Sequence, residues 1–319
     1  MIDRIVTLGE ALAVFRTGPG GPLWQARHVE LSTGGAEANV AMAVARRGVP
    51  VSWFGRVGAD ELGRRVVREL RAEGVDVHAT VDREHPTGLL VKDIRPGGRT
   101  SVGYYRRDSA GSRLEVADVD RIPLDAGALL HLTGITPGLS AGCGAAVARL
   151  AERATAAGAT LSFDVNHRRK LWSDDSAAPV YRALAARADL LFASVEEVPL
   201  LLPGWTGTQA DAAARALAGR GHRQVVVTAG ARGAYALIDG TGYEVAAVPL
   251  DGIVDTVGAG DAFVGGYLAE LVAGSPVRQR LRTAAVLGAA ACRHPGDWEG
   301  VADTAGLEPD GVPADPVSR

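Results

Sequence analysis

Cysteine is nearly absent: Cys143 and Cys292 are the two in 319 residues. That excludes a disulfide framework and offers no metal-binding spacing. The plain expectation is two buried free thiols in a reducing cytosol. No apolar run reaches the ~18 residues of a membrane-spanning helix. Met1-Ile2-Asp3-Arg4 leads straight into an apolar strand, without the order of an export signal. Charge of one sign is missing too. The 34 basic and 37 acidic residues leave a formal net charge of -3, so neither nucleic acid nor an anionic membrane surface is favoured as a partner. Together these absences predict a soluble cytoplasmic protein.

What is present is an apolar, glycine-rich chain. Apolar residues make up 47% and charged residues 22%, enough to build a sizeable core. Length alone allows one large α/β domain or two smaller ones. Ile5 to Gly9 reads as a short buried strand ended by glycine, and residues 11–31 as short strands and loops. Small residues from Ala36 to Arg47 predict a helix stopped by Gly48. Val51 to Val57 predicts a strand, and Glu61 to Glu73 an amphipathic helix. Gly88 to Ile94 and Thr100 to Arg106 flank Pro96-Gly97-Gly98, a hairpin signal.

The second half alternates. Strands are predicted at 128–132, 160–165, 190–193 and 224–228, and helices at 143–157, 177–186, 209–218, 262–273 and 277–292. Such alternation implies a mainly parallel sheet with helices on both faces, and ligands in such sheets sit beyond the carboxyl ends of the strands. The extra strands of the first hundred residues suit a small lid. Residues 306–319, rich in Pro, Asp and Gly, read as a loosely ordered tail.

The chemistry concentrates in Asp255-Thr256-Val257-Gly258-Ala259-Gly260-Asp261. Glycines let the backbone turn tightly and expose its amides. The apolar run from Ala262 then starts a helix, whose free amides and positive dipole end make an anion site. Asp261 beside it suits a base that takes a hydroxyl proton while the amides hold a transferring phosphoryl group. The segment by itself is equally consistent with a plain turn and Asp261 as a helix N-cap. Other nucleotide-binding patterns are missing. There is no Gly-x-x-x-x-Gly-Lys-Ser/Thr loop, and Phe263 stands where the dinucleotide fingerprint has its third glycine. A second glycine pair, Gly34-Gly35, opens the first helix, with Asn39 one turn in, as a core hydrogen bonder or a ligand contact. His131 and His167 lack a second ligand at metal spacing and read as structural.

The two glycine segments together resemble the signatures of the PfkB, or ribokinase-like, carbohydrate kinases, and the resemblance runs from Gly9-Glu10 to Glu299-Gly300. It implies a Rossmann-type three-layer α/β core with a small β-sheet lid. One kinase domain would span residues 1–305, its lid drawn from about 10–34 and 86–108. It also implies ATP and Mg2+ as cofactors, and leaves room for a monovalent cation. Asp261 aligns with the family's base and Gly258, Ala259 and Gly260 with its anion hole. Thr228, Gly230, Arg232 and Gly233 fall on the nucleotide loop, with Asn166, Arg168 and Ser194 nearby. Glu197 would place magnesium through water. Ser194 replaces the family's usual Asn.

Pro86-Thr87-Gly88, Tyr104-Tyr105-Arg106, His131 to Pro137, Asp164 to Arg168 and Gly296 to Gly300 further resemble the 2-keto-3-deoxygluconate kinases. That resemblance implies contacts to a sugar acid from Gly34, Gly35, Asn39, Tyr104, Arg106, Ile135, Arg168 and Asp297. Leu89-Leu90 stands where those enzymes often have Tyr. An arginine fork suits a carboxylate, although in a chain this rich in arginine either one alone reads more readily as a solvated surface charge. Kinases for a neutral sugar or nucleoside (fructose, ribose, adenosine) are the sister alternative. Exposed lid edges predict a homodimer or a dimer-based assembly.

Overall fold

Runs of apolar and β-branched residues build the central sheet. The computed structural model describes residues 1–18, 22–95, 99–302, 304 and 307. In chain order the strands are β1 Arg4–Leu8, β2 Leu12–Arg16, β3 Glu30–Gly34, β4 Val51–Gly58, β5 Asp76–Asp82, β6 Leu89–Arg95, β7 Arg99–Tyr105, β8 Ala128–Thr133, β9 Thr160–Asp164, β10 Leu190–Ser194, β11 Gln224–Thr228, β12 Ala234–Ile238 and β13 Thr241–Val245. The helices are α1 Ala36–Arg46, α2 Glu61–Ala72, α3 Val116–Val119, α4 Ala141–Ala157, α5 Asp174–Ala185, α6 Val198–Leu201, α7 Ala210–Ala218, α8 Ala259–Val272 and α9 Val277–Cys292.

Nine strands form one sheet in the order β13-β12-β11-β10-β9-β8-β1-β4-β5. From β11 to β5 every pairing is parallel, and β12 and β13 add an antiparallel hairpin at one edge. Strand alternation sends Leu130, Leu161, Phe163, Val225 and Val227 to the face covered by α4, α5 and α7. Ile5, Trp53, Leu129, Phe192 and Val226 face the other way, against α1, α2, α8 and α9. This is the three-layer arrangement expected for strands buried on both faces.

A second sheet of four strands, in the order β3-β2-β6-β7, comes from the segments expected to form a lid. The expected hairpin is there, with β6 and β7 antiparallel and Leu89 opposite Tyr105. Its turn, Pro96 to Gly98, lies outside the described residues, as does the tail expected over 306–319 apart from buried Leu307.

Three local features depart from the sequence reading. The β12–β13 hairpin is not among the expected elements, although Asp239-Gly240 between apolar runs signals one. Both residues take positive φ, 47° and 82°. Edge strand β5 is also unexpected, because its exposed face breaks the apolar pattern. Helix α8 begins at Ala259 instead of Ala262, and its N-cap is Gly258 at φ 84°. Asp261 is therefore a first-turn residue and not the N-cap.

One helix crossing sets Asn39 against Asp261. Helices α1 and α8 pack on small residues, and a side chain at Gly265 would lie 2.6 Å from the Cβ of Ala43. Asn39 and Ala43 share one face of α1 at i,i+4 spacing, and Asp261 and Gly265 share one face of α8. The close crossing thus brings Asn39 toward Asp261. Gly265→Val should cost about 1–3 kcal/mol by overpacking this contact, read as a lowered urea midpoint at unchanged slope.

Candidate active site

The site starts as a turn that only glycine can make. Gly258 sits in the left-handed region, and a Cβ there would collide with the carbonyl of Asp297. Asp255, 4% exposed, fixes the turn from within by accepting the amide of Val257 at 3.1 Å. The amide of Ala259 donates to Thr256 O at 3.3 Å, and that of Ala262 to Gly258 O at 2.8 Å. Among the described residues no side-chain cap closes the start of α8, whose N-cap is Gly258. On the opposite side of the turn, a Cβ at Gly260 would meet open space. A helix start left uncapped and uncovered is suited to phosphate oxygens.

Asp261 lies at the edge of this start and is buried at 5% exposure. Asn39 Nδ2 donates to its Oδ2 at 2.7 Å, and Asn166 Nδ2 to its Oδ1 at 3.2 Å. Burial pushes its pKa up to about 6, against the lowering pull of Arg168 and of the Asn39 bond. Asn166 holds its place from a left-handed backbone, φ 38°, at the carboxyl end of β9. Gly35, φ 137°, passes so close to Glu10 O that no Cβ fits, and it leads into α1 and hence to Asn39.

A cavity of about 220 Å³ opens in front of the turn, at the carboxyl ends of β9, β10 and β11. Ser194, Thr228, Gly258, Gly260, Asn166 and Arg168 line it with Asp261, as do Asp164 and Glu197. Gly230, Arg232 and Gly233 follow β11 but do not line it. Gly233, φ 90°, is a backbone requirement, since a side chain would strike Val245 O. Glu197 accepts two backbone amides, from Ser194 at 2.8 Å and His167 at 2.6 Å. Ser194, the residue that departs from the family pattern, therefore takes part through its amide. His167 also bonds Tyr181 OH at 2.9 Å and Asp174 at 3.0 Å, in line with a structural role.

On the lid side, alternation on β7 leaves Tyr104 half-buried and Tyr105 70% exposed. The guanidinium of Arg106 stacks 4.3 Å from the ring centre of Tyr104. It is ion-paired with buried Glu10, so its charge is already neutralised within the protein. Arg168 is exposed. Its positive charge acts on both Tyr104 and Asp261, so the two sides of the site share it. Ile135 is buried, its amide donating to Thr133 Oγ1 at 3.1 Å. The carboxylate of Asp297 lies against Gly34, 2.7 Å from where a Cβ would stand.

Sequence reasoning gave no role to three residues that the fold brings here. Asp164 shares the cavity with Glu197 and Asp261. Burial first, then those two charges, raises its pKa well above the usual range. Glu37 is fully buried in the space that Gly9 leaves and accepts Thr133 and Thr136 hydroxyls at 2.8 and 2.7 Å. Burial pushes it up to about 7. Lys92, from the lid, is the third. Only Asp164 carried a local signal, its place at a strand's carboxyl end.

A three-layer α/β core and a glycine-lined helix start beside a buried carboxylate, with a small sheet alongside, define a small-molecule phosphotransferase of the ribokinase type. The comparisons narrow this: residues 3–304 match the pfkB family carbohydrate kinases, and the chain belongs to that family. It is 34% identical over 300 residues to the 2-dehydro-3-deoxygluconokinase of Bacillus subtilis, covering 93% of this chain and 91% of that one. It is 36% identical over 286 residues to the 2-dehydro-3-deoxygalactonokinase of Haloferax volcanii, with 88% of each covered. Among solved structures, an E. coli ribokinase II in complex with ATP and Mg2+ superposes with a TM-score of 0.83 at 26% identity, covering 94% of this chain and 96% of that one.

The pKa of Asp261 gives a direct expectation. A carboxylate serving as a base must be charged, so with Asp261 in that role turnover should fall with an acid limb near pH 6 and hold above it. Stability should run the other way. The folded form binds a proton more readily than the unfolded chain, so this group's contribution is present below the ordinary carboxylate range and lost as pH rises through about 6. A pH–rate profile set beside urea melts at matching pH checks both signs.

Proposed function

We propose that the protein transfers the γ-phosphoryl group of ATP to the terminal hydroxyl of 2-keto-3-deoxygluconate, as a 2-dehydro-3-deoxygluconokinase of sugar-acid catabolism. The observation that carries this reading is Asp261, a buried carboxylate gripped by Asn39 and Asn166 at the mouth of an uncapped helix. Its raised pKa suits a base working near neutral pH. The relatives' names supply the substrate class. Arg168, a cation beside the cavity with no ion-pair partner among the described residues, supports a carboxylate-bearing sugar.

In this mechanism the sugar lies between Gly34-Gly35, Tyr104 and Arg168. Asp261 accepts the hydroxyl proton as the oxygen attacks phosphorus in line. The amides around Gly258 to Gly260 hold the charge that spreads over the transferring group. Thr228 and Ser194 border the phosphates, and the loop from Gly230 to Gly233 would carry the rest of the nucleotide. Bound Mg2+ would neutralise phosphate charge. Asp164 and Glu197 are the carboxylates that would hold it, Glu197 through water because backbone amides occupy its oxygens. The small sheet would act as a lid that excludes water. A cytoplasmic homodimer joined through the lid's edge strands β3 and β7 belongs to the same proposal.

One observation favours a second reading, a kinase for a neutral sugar. Arg106 is already paired with Glu10, so a carboxylate would meet Arg168 alone.

ADP release across 2-keto-3-deoxygluconate, its galactonate epimer, fructose, ribose and adenosine separates the two. Turnover confined to the keto-deoxy acids is expected, and turnover on fructose or ribose alone would establish the second reading. Asp261→Asn should keep the fold and lose about 10²–10⁴ in kcat. Arg168→Ala should raise KM for the sugar acid by about tenfold or more, the value of one charge-assisted contact.

A further inference from the structure

Lys92 has 0% exposure and sits in β6, an interior strand of the lid sheet. An inward charge on an edge strand would read as protection against aggregation, but β6 has neighbours on both sides. It shares the inner face with Leu90, which packs on Leu12 and Val14. An ammonium on such a face is stable only if matched by opposite charge. The match comes from two segments far away in sequence. Lys92 Nζ donates to Asp255 Oδ2 at 2.7 Å and is ion-paired with Asp297. Both carboxylates are buried, at 4% each.

These partners are the two supports of the anion-binding turn. Asp255 holds the amide of Val257, and the carbonyl of Asp297 is the surface against which Gly258 packs. Burial alone would discharge the lysine, yet the two carboxylates outweigh it and its pKa is raised. Lys92 has no exposure through which to reach a substrate, so its charge works inside the protein. A compact point charge with three donors on a flexible stem does what a small monovalent cation held by carboxylates would do.

We propose that Lys92 is a positioning residue: its ammonium, delivered from the lid, is the fixed cation that holds Asp255 and Asp297 together behind the phosphate-binding turn. It takes the place of a dissociable monovalent cation at that point. This rests on the kinase reading, and it gives the lid a direct mechanical link to the groups that stabilise the transferring phosphoryl.

The test measures kcat in buffers whose only monovalent cation is the bulky tetramethylammonium, then with potassium or ethylammonium added. Wild-type kcat should change by less than about two-fold between these buffers. Lys92→Ala should lose about 10²-fold, the scale for a misplaced catalytic constellation. Ethylammonium or potassium entering the hole should return about ten-fold or more of that loss. Lys92→Met should be equally slow and show no recovery, because its side chain fills the hole without charge. A structural filler would give the opposite order, with Met sound and Ala unrescued.

Thermal melts show which variants fold. Should Lys92→Ala fail to, the wild-type cation exchange and Lys92→Met still decide. A wild type that loses about ten-fold or more of its turnover in tetramethylammonium overturns the proposal. So does a Lys92→Met enzyme within about two-fold of wild type. Wild-type turnover of the sugar acid is measured first, in potassium. With that activity in hand, either result refutes the role of Lys92 and leaves the kinase reading intact.

Discussion

The close crossing of α1 and α8 is the constraint on which the site depends. Two helices surfaced with ordinary side chains sit 8–10 Å apart, and short polar groups on them seldom meet across that gap. Here alanines on α1 face glycine on α8, with Gly265 against Ala43. Asn39 can then donate to Asp261 at 2.7 Å, although its side chain is among the shortest that carry an amide. The same approach sets the start of α8 at the carboxyl ends of the core strands. The start of α8 and Asp261 are thereby held by one packing decision.

Charge is the second theme, and the site holds more carboxylates than cations. Glu10 is answered by Arg106, and Asp255 and Asp297 share Lys92. Among the described residues Asp164, Glu197 and Asp261 have no such ion-pair partner, and they look onto the cavity with Arg168. Like charges this close cannot all ionise at once. The protein relieves the surplus by protonation, since Asp164 is driven well above the usual carboxylate range and Glu37, deeper in, to about 7. Carboxylates left charged here would repel an anionic nucleotide. In the proposed reaction a divalent cation would offset the charge that remains.

How much of this was legible depended on distance along the chain. The strand–helix alternation and the lid hairpin are local patterns that fold as their residues predict, and the glycine turn lies where it is expected but is shorter, because α8 begins at Ala259. The early start of α8 was hidden because Ala259 and Gly260 carry no apolar period, while Gly258 could cap the helix only through its left-handed φ. The β12–β13 hairpin had its Asp239-Gly240 signal, but β13 is largely exposed and lacks clean alternation. Which of Tyr104 and Tyr105 faces inward could not be decided from alternation alone, because both faces of β7 carry a tyrosine. The pairing of Lys92 with Asp255 spans 163 residues. No local rule brings them together, and a lysine in a lid strand reads as a solvated charge until the fold buries it. The ion pair of Arg106 was hidden for the same reason, since Glu10 lies 96 residues away.

Burial would therefore do two jobs for Asp261 in the proposed reaction. Removing Asp261 from water raises its pKa to about 6, close enough to neutral pH for it to be charged and still accept a proton readily. In the proposed reaction, a site closed to water would also spare the phosphoryl group from competing hydrolysis. A base left in open solvent would be weaker and would face that competition. A base buried without Asn39, Asn166 and the charge of Arg168 would stay protonated and inactive. The observed environment lies between these limits. It is set by hydrogen bonds from α1 and from the segment that follows β9, and by one cation at the cavity wall, so the proton affinity of Asp261 is a property of the whole fold and not of the seven-residue turn that first draws attention to it.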